Sequence, residues 1–194
     1  MYSLPDWAFY PIAALVTAGM VGGALSYGDN TVRSREEILS EGIVYEGDSL
    51  NALTTGNGLT ARFLSEGDVN FARIDAVRSP IDGIRSAGAF FALSPTEIDA
   101  IQGRRVRVSF TLRRAPEHGA DNVRLNFFVP GIGQNSGEHV EPNDEFESFT
   151  IEVAAPVCSW DYAFIGLWPA WDFERNTVDL QRVELTPLDQ LPDC

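Results

Sequence analysis

Positive charge is scarce in this chain, and lysine is absent altogether. Its 14 basic residues are all arginines and face 28 acidic residues, which gives a formal net charge of −14. Nucleic-acid binding needs a basic face opposite the phosphates, so we expect no nucleic-acid partner. The same deficit argues against adsorption to an anionic lipid surface. Acidity of this kind usually serves solubility, although it could also attract a basic soluble partner.

Cysteine is also scarce, since Cys158 and Cys194 are the only two. Two cysteines allow one disulfide bridge between them, and an oxidising compartment would favour that bridge. Two unpaired thiols are the alternative. The sequence leaves both states open.

Recognised catalytic and metal-binding motifs are missing as well. The chain has no GxSxG elbow, no HExxH pair and no EF-hand loop. His118 and His139 lie in polar, glycine-rich loops, where we interpret them as solvated residues, with a calcium ion bound by the loop carboxylates as the alternative. We therefore predict no catalytic residue, no metal and no cofactor, and a protein that is not an enzyme.

A long apolar run is what the chain does have. Residues Trp7 to Gly28 carry no charge, and this length of 22 residues exceeds the about 20 that a helix needs to cross the hydrocarbon core. The preceding residues MYSLPD contain no basic side chain, which disfavours a cleaved secretory signal. We predict an N-terminal tail and transmembrane helix over residues 1–28.

Small residues recur along one side of this predicted helix. Their spacing of four residues, with a GxxxG pair, would let another helix approach closely, although glycine and alanine are common in membrane helices in general. We predict helix packing through Ala14, Ala18, Gly19, Gly22 and Gly23.

The rest of the chain is predicted as a polar linker, residues 29–40, and one β domain, residues 41–194. The clearest strand is RRVRVSFTLRR, in which apolar residues alternate with arginine, serine and threonine. Strict alternation indicates one face in the core and one in water. We interpret the arginine stripe as a solvent face neutralised by carboxylates on neighbouring strands rather than as an anion site.

Two local patterns add detail to this domain. Ser94 is placed to cap a short helical turn, with Glu97 as its partner and Gly103 as the stop. In the last strand, Val178 and Leu180 alternate but the apolar residues after Arg182 are one step out of phase. A β-bulge near Gln181–Arg182 would restore the register. About eight or nine such strands predict an all-β antiparallel sandwich.

The order of these segments resembles a known class of domain. A buried strand, a helical turn and glycine, the RVRVSF strand, the FESFTI strand, YAFIGLW and a closing TVDLQRVEL strand follow one another between Gly42 and Leu188. This order is similar to the galactose-binding-like, carbohydrate-binding-module jelly rolls. The resemblance implies a non-catalytic jelly-roll sandwich that binds sugars or serves as an interaction module. Sugar sites vary within that class, so none is transferred by residue.

An aromatic cluster, CSWDYAFIGLWPAWDF, is the most distinctive local feature of the domain. Exposed rings stack on sugars or anchor protein interfaces, while buried rings belong to the core. We assign Trp168 to the core. The candidate contact residues for a protein interface or a ligand are Trp160, Trp171, Asp172 and Phe173.

Together these features favour a non-catalytic, single-pass accessory subunit of a bacterial inner-membrane complex, of a respiratory or photosynthetic electron-transport kind. The expected partners are other subunits of the complex, the lipid bilayer through Trp7–Gly28 and a basic soluble electron carrier. Arg33 and Arg35 would place the domain in the cytoplasm by the positive-inside rule, whereas a disulfide and a jelly roll favour the periplasm, which we predict. The alternative is a membrane-anchored carbohydrate-binding module of the cell envelope.

Overall fold

The structure is a computed structural model, and it describes residues 6–26, 33–78, 88–128, 137–154, 160–169 and 174–192. Structural statements below concern these residues. The chain forms two compact units, Met1–Val32 and Arg33–Cys194. The first unit contains helix α1, Asp6–Ser26, and the second contains all other described elements.

Helix α1 covers most of the predicted transmembrane segment. None of the helices in the described ranges is both long and apolar enough to cross a bilayer. Nine of the 21 residues of α1 are alanine, glycine or threonine, and such small groups add little apolar surface. The prediction of a transmembrane helix over Trp7–Gly28 is therefore corrected.

The predicted function depended on that helix. The interpretation as an accessory subunit of an inner-membrane electron-transport complex is wrong, because the described residues offer no span that would place the chain in such a complex. The partners predicted with it, namely complex subunits, the bilayer and an electron carrier, have no support in this part of the chain.

The second unit is built mainly from β-strands. In chain order they are β1 (Ile43–Glu46), β2 (Thr54–Thr55), β3 (Leu59–Glu66), β4 (Val69–Ala76), β5 (Ala89–Ala92), β6 (Arg104–Arg114), β7 (Val123–Phe128), β8 (Glu138–Val140), β9 (Glu147–Ala154), β10 (Phe164–Pro169) and β11 (Thr177–Gln190).

These strands form two antiparallel sheets. One sheet has six strands in the order β3-β4-β11-β6-β9, with β1 also paired to β11, and the other has five in the order β2-β5-β10-β7-β8. From β4 to β7, successive strands alternate between the two sheets, as in a jelly roll. The predicted all-β jelly-roll sandwich is confirmed.

Three short helices accompany the sheets, where the sequence predicted one. They are α2 (Arg35–Glu41), a 3₁₀ helix (Gly47–Ala52) and α3 (Pro95–Ile101). Most of α2 lies in the segment predicted as a linker. The predicted cap of α3 is confirmed, since Ser94 accepts from the Glu97 amide and the Glu97 side chain accepts from the Ser94 amide.

The core lies between the two sheets. From β6 it receives the alternating residues predicted for it, Val106, Val108, Phe110 and Leu112, all of them fully buried. From the facing sheet, β7 and β10 contribute residues of the same kind, among them Leu125, Phe127, Ile165 and Leu167. Apolar residues from both inner faces thus fill one layer, which is the general design of a sandwich.

The predicted bulge in β11 is also confirmed. The pairing of β11 with β6 shifts register between Leu180 and Arg182. Leu180 and Val183 are three positions apart, and regular alternation would place their side chains on opposite faces of the sheet. The shift in register keeps both side chains buried. The bulge therefore holds both halves of the longest strand in the core.

The arginine stripe of β6 is neutralised as the sequence indicated. Arg107 contacts Glu152 of β9, with 2.6 Å between Nη2 and Oε1. Asp179 of β11 is fully buried and accepts from Arg73 Nε at 2.6 Å and from Arg113 Nε at 3.1 Å. Its hydrogen bond holds the pKa of Arg73 above the ordinary value. Charge pairing thus covers the outer face of the six-stranded sheet.

Candidate functional site

The outer face of the five-stranded sheet carries a group of aromatic side chains. Successive side chains in a strand point to opposite faces. Because Phe91, Phe127 and Ile165 are buried in the core, their neighbours Phe90, Phe128 and Phe164 lie on the opposite, outer face. Strand pairing brings them together, since Phe164 of β10 lies opposite Phe128 of β7.

We call Phe90, Phe128, Tyr162 and Phe164 the aromatic patch. The planes of Phe128 and Tyr162 differ by 17° with centroids 6.3 Å apart, and those of Phe128 and Phe164 by 25° at 6.1 Å. Phe90 meets Phe164 edge-on at 5.0 Å. Tyr162 is 47% exposed, and the three phenylalanines are half-buried. Tyr162 and Phe164 are inclined to each other by 39° at 5.6 Å, so the four rings form one continuous, partly exposed apolar cluster.

Polar side chains continue the same face next to the aromatic patch. Gly166 of β10 pairs with Phe90 on one side and with Asn126 on the other. Because glycine has no side chain, Gly166 leaves a gap on the outer face of the sheet between the ring of Phe90 and the amide of Asn126. Further along β7, Arg124 lies opposite His139 of β8, whose Nδ1 is 2.6 Å from Asn122 Oδ1.

Gly137 limits the space above this polar row. A Cβ atom at Gly137 would lie 2.3 Å from Arg124 Nε and 2.9 Å from Asn126 Oδ1. The main chain before β8 therefore packs directly on these two side chains, which restricts how they move. The face combines an apolar stacking surface with fixed hydrogen-bonding groups beside it.

The structure places one tryptophan of the predicted contact set. Trp160 is 5% exposed and meets Phe127 edge-on at 6.1 Å, so it belongs to the core. Its carbonyl accepts from Gln102 Nε2 at 3.0 Å, which ties the segment to α3. Trp168, assigned to the core from the sequence, is 4% exposed. The other predicted contact residues, Trp171, Asp172 and Phe173, and the possible disulfide of Cys158 and Cys194, lie outside the described residues.

The predicted helix-packing residues are exposed on α1. A Cβ atom at Gly19 or Gly22 would meet nothing within 4 Å, and Ala14 and Ala18 are exposed. The surroundings of Gly23 lie outside what the structure describes. Packing of another helix on this side remains a prediction.

The histidine loops hold no metal ligand set. Across the described ranges, no group of three or more His, Cys, Asp and Glu side chains is placed to hold a metal ion. His118 instead serves the backbone: with φ of 56°, its carbonyl accepts from the amides of Asn176 and Thr177. The calcium alternative therefore gains no support here.

Sequence reasoning did not identify Phe90 and Phe128 as surface residues. Each belongs to a Phe-Phe pair, Phe90–Phe91 and Phe127–Phe128, so both faces of the strand carry a ring at that point. The sequence signal for a surface ring was the end of VRLNFF, because strict alternation places one of its two phenylalanines on the outer face of the sheet. Only the position of the facing sheet decides which ring is inside.

Known proteins show a distant likeness to this chain. No protein-family model matches it, and no curated protein sequence does. A solved structure of the CBM22-1 xylan-binding domain of Paenibacillus barcinonensis Xyn10C is 10% identical, covers 76% of this chain and 94% of its own, and has a TM-score of 0.48.

Two further solved structures are similar at the same level. The C-terminal family 22 carbohydrate-binding module of Clostridium thermocellum Xyn10B is 13% identical over 73% of this chain and 89% of its own, with a TM-score of 0.47. The module CBM6cm-2 of Cellvibrio mixtus lichenase 5A, in complex with cellotriose, is 7% identical over 76% and 98%, with a TM-score of 0.43. All three TM-scores lie below 0.5.

Proposed function

We propose that the second unit is a non-catalytic carbohydrate-binding module that holds a neutral glycan on the aromatic patch. The observation that carries this proposal is a set of four rings on the solvent side of a sheet whose other side is the core. The membrane anchor of the earlier alternative is not part of the proposal, and a periplasmic location remains a prediction.

Stacking on the aromatic rings is one way in which the patch can hold a sugar. Aromatic rings carry large apolar faces, and a protein that leaves several of them together in water keeps an unfavourable surface that a ligand can cover. The C–H face of a sugar ring is apolar and flat enough to cover one aromatic ring. The centroids of Phe128, Tyr162 and Phe164 lie within 6.3 Å of one another, so one sugar chain can cover all three rings.

Hydrogen-bonding side chains next to the aromatic patch also support sugar binding. A glycan surrounds its apolar faces with hydroxyl groups, which need donors and acceptors at the rim of the stacking surface. Asn126 carries both an amide donor and a carbonyl acceptor, and Arg124, two residues before it in β7, carries guanidinium donors. Since both side chains are packed under Gly137, little conformational freedom is lost when they bind.

The net charge of the chain favours one class of glycan over another. The chain carries a formal net charge of −14, and the rings of the aromatic patch contribute no compensating positive charge. A polyanionic glycan would approach against this field, whereas a neutral one would not. The proposal therefore names neutral polysaccharides.

The test is an isothermal calorimetric titration of the full chain with soluble xylan and with cellotriose. We expect Tyr162→Ala to weaken binding about twofold to tenfold, because one stacking contact contributes roughly 0.5–1.5 kcal/mol. Phe63→Ala is the matched control: Phe63 is 45% exposed on β3 of the other sheet, and Tyr162 is 47% exposed. The control should bind like the unaltered protein, and both variants should keep their thermal midpoints.

Two outcomes would count against the proposal. One is a lack of binding to a wider panel of neutral polysaccharides by the unaltered chain. The other is equal affinity of Tyr162→Ala and Phe63→Ala, which would show that any binding occurs elsewhere. Capture of a protein through Tyr162 without glycan binding would instead identify the patch as a protein interface.

A further inference from the structure

Strand β3 forms one edge of the six-stranded sheet, away from the aromatic patch. It pairs with β4 in unbroken register, from Leu59 opposite Ala76 to Glu66 opposite Val69. Among the strands that the structure describes, β4 is the one neighbour of β3 in the sheet. The other side of β3, which we call the β3 edge, is therefore open to a further strand.

The hydrogen bonds around β3 show which of its peptide groups point to the β3 edge. The Val77 amide donates to the Gly58 carbonyl at 2.9 Å, so Gly58 turns its carbonyl towards the β4 side. This direction alternates from one residue to the next along an antiparallel strand. The Leu59 amide fits the alternation, because it donates to Gly56 instead of to β4. The residues further along β3 that direct amide and carbonyl outwards are therefore Ala61, Phe63 and Ser65.

The β3 edge lacks the usual protection of an edge strand. Natural proteins keep edge strands short, or place lysine, proline or a bulge in them. The edges of the five-stranded sheet are short, since β2 has two residues and β8 has three. β3 has eight residues and no proline, and the whole chain has no lysine. Such an edge is suited to pairing with another strand.

The charges of β3 indicate which strand that is. Arg62, Leu64 and Glu66 are two positions apart, so they share one face of the sheet. The side chain of Arg62 is 62% exposed and that of Glu66 is 66% exposed. If two copies of β3 pair antiparallel about Leu64, Arg62 of each copy lies opposite Glu66 of the other. The strand is thus complementary in charge to a second copy of itself.

The edge strand β9 on the opposite side of the same sheet offers no such match. It also has eight residues, but its charged residues are Glu147 and Glu152, with no basic residue. Two copies of β9 would bring only negative charges together, which is unfavourable between paired strands. Charge therefore favours the β3 edge for contact between two copies.

We propose that two copies of this chain associate by antiparallel pairing of their β3 edges, with Leu64 opposite Leu64. In this register the outward peptide groups of Phe63 meet those of Ser65 in the second copy. Arg62 and Glu66 then form non-hydrogen-bonded pairs, in which side chains lie closest. One strand pair buries less surface than a standard protein interface, so the dimer is expected to form reversibly.

The experiment is sedimentation equilibrium of the full chain in about 0.15 M salt, where charge repulsion is screened beyond about 8 Å. The mass should rise from monomer to dimer with concentration. Arg62→Glu and Glu66→Arg should each weaken association about tenfold, because each replaces two attractive pairs by two repulsive ones. The double variant Arg62→Glu/Glu66→Arg restores both pairs, and it should recover the affinity of the unaltered chain.

Arg105→Glu is the matched control for the change of charge. Arg105 is 45% exposed and contacts Asp189 at 2.8 Å, much as Arg62 contacts Asp75 at 3.1 Å, but it lies on the central strand β6. This variant should associate like the unaltered chain.

Ser65→Pro is a second variant that leaves the charges unchanged. It removes an amide that points to the β3 edge and spares the hydrogen bonds to β4, a position at which edge strands tolerate proline. We expect a folded chain, with a thermal midpoint close to that of the unaltered one, that remains monomeric.

The inference is overturned if the full chain stays monomeric up to about 1 mM. It is also overturned if Arg62→Glu and Ser65→Pro associate as strongly as Arg105→Glu, which would place the contact elsewhere, or if the double variant stays as weak as the single ones. None of these substitutions lies on the aromatic patch, so cellotriose titration of the same variants separates this inference from the proposed function.

Discussion

Removing the carboxylate of Asp179 should destabilise the domain strongly. Asp179→Ala deletes a fully buried acceptor that receives hydrogen bonds from Arg73 Nε, Arg73 Nη2 and Arg113 Nε at 2.6, 2.8 and 3.1 Å. The arginine side chains are 21% and 15% exposed, so water replaces the lost partner incompletely. Breaking a buried charge pair by removing one member costs about 3–5 kcal/mol.

Part of that cost is offset by contacts that remain. Arg113 keeps Glu66 at 2.5 Å and lies over the rings of Phe71 and Phe146 at 5.1 and 4.5 Å. Arg73 keeps its contact over Phe71 at 5.6 Å. We therefore expect a loss at the lower end of the range, about 3 kcal/mol, in the free energy of unfolding.

The measurement is urea denaturation followed by tryptophan fluorescence, with Glu152→Ala as control. Glu152 forms the exposed pair with Arg107, with both side chains nearly half exposed, and such pairs contribute less than about 1 kcal/mol. The midpoint should fall far more for Asp179→Ala at an unchanged denaturant slope. Equal losses in the two variants would refute the view that burial of Asp179 makes its charge pairs important.

Three further predictions concern single local features. Ser94→Ala should lower the unfolding free energy by about 1 kcal/mol, measured by urea denaturation, because the cap of α3 is lost. Gly88→Ala should cost more than about 2 kcal/mol by the same measurement, since φ is 84° and the new Cβ would lie 2.2 Å from the Leu167 carbonyl oxygen. Hydrogen bonds from Ser34 lower the pKa of Glu37 below the ordinary glutamate value, so its carboxyl resonance should titrate at lower pH than that of an unperturbed glutamate. Its contribution to stability should be present above the ordinary pKa and disappear as the pH falls through the lowered one.

Regular alternation and capping were predictable from the sequence because both depend on nearby residues. The buried face of β6, the cap at Ser94 and the bulge between Leu180 and Arg182 all follow from spacing within a dozen residues. The jelly-roll sandwich followed from the number and order of such segments.

Features that depend on distant strands were not predictable in the same way. Asp179 stands on the solvent side of its strand by alternation, yet it is fully buried because long arginine side chains from β4 and β6 cover it. The ring of Phe90 could equally have been the inner one of its pair. The apolar character of Trp7–Gly28 also led to the prediction of a membrane span, which none of the described helices provides.

The central place of β11 has a consequence for synthesis on the ribosome. This strand pairs with β1, β4 and β6, all of which precede it in the chain, and Ile43 pairs with Leu185. β4 ends about 100 residues before β11 begins, which is roughly 5–20 s of translation. During that interval β1, β4 and β6 have been made but β11, with which all three pair, has not. Their unpaired edges can therefore form non-native strand pairs. We therefore expect the nascent domain to be most open to mispairing before its last strand has emerged.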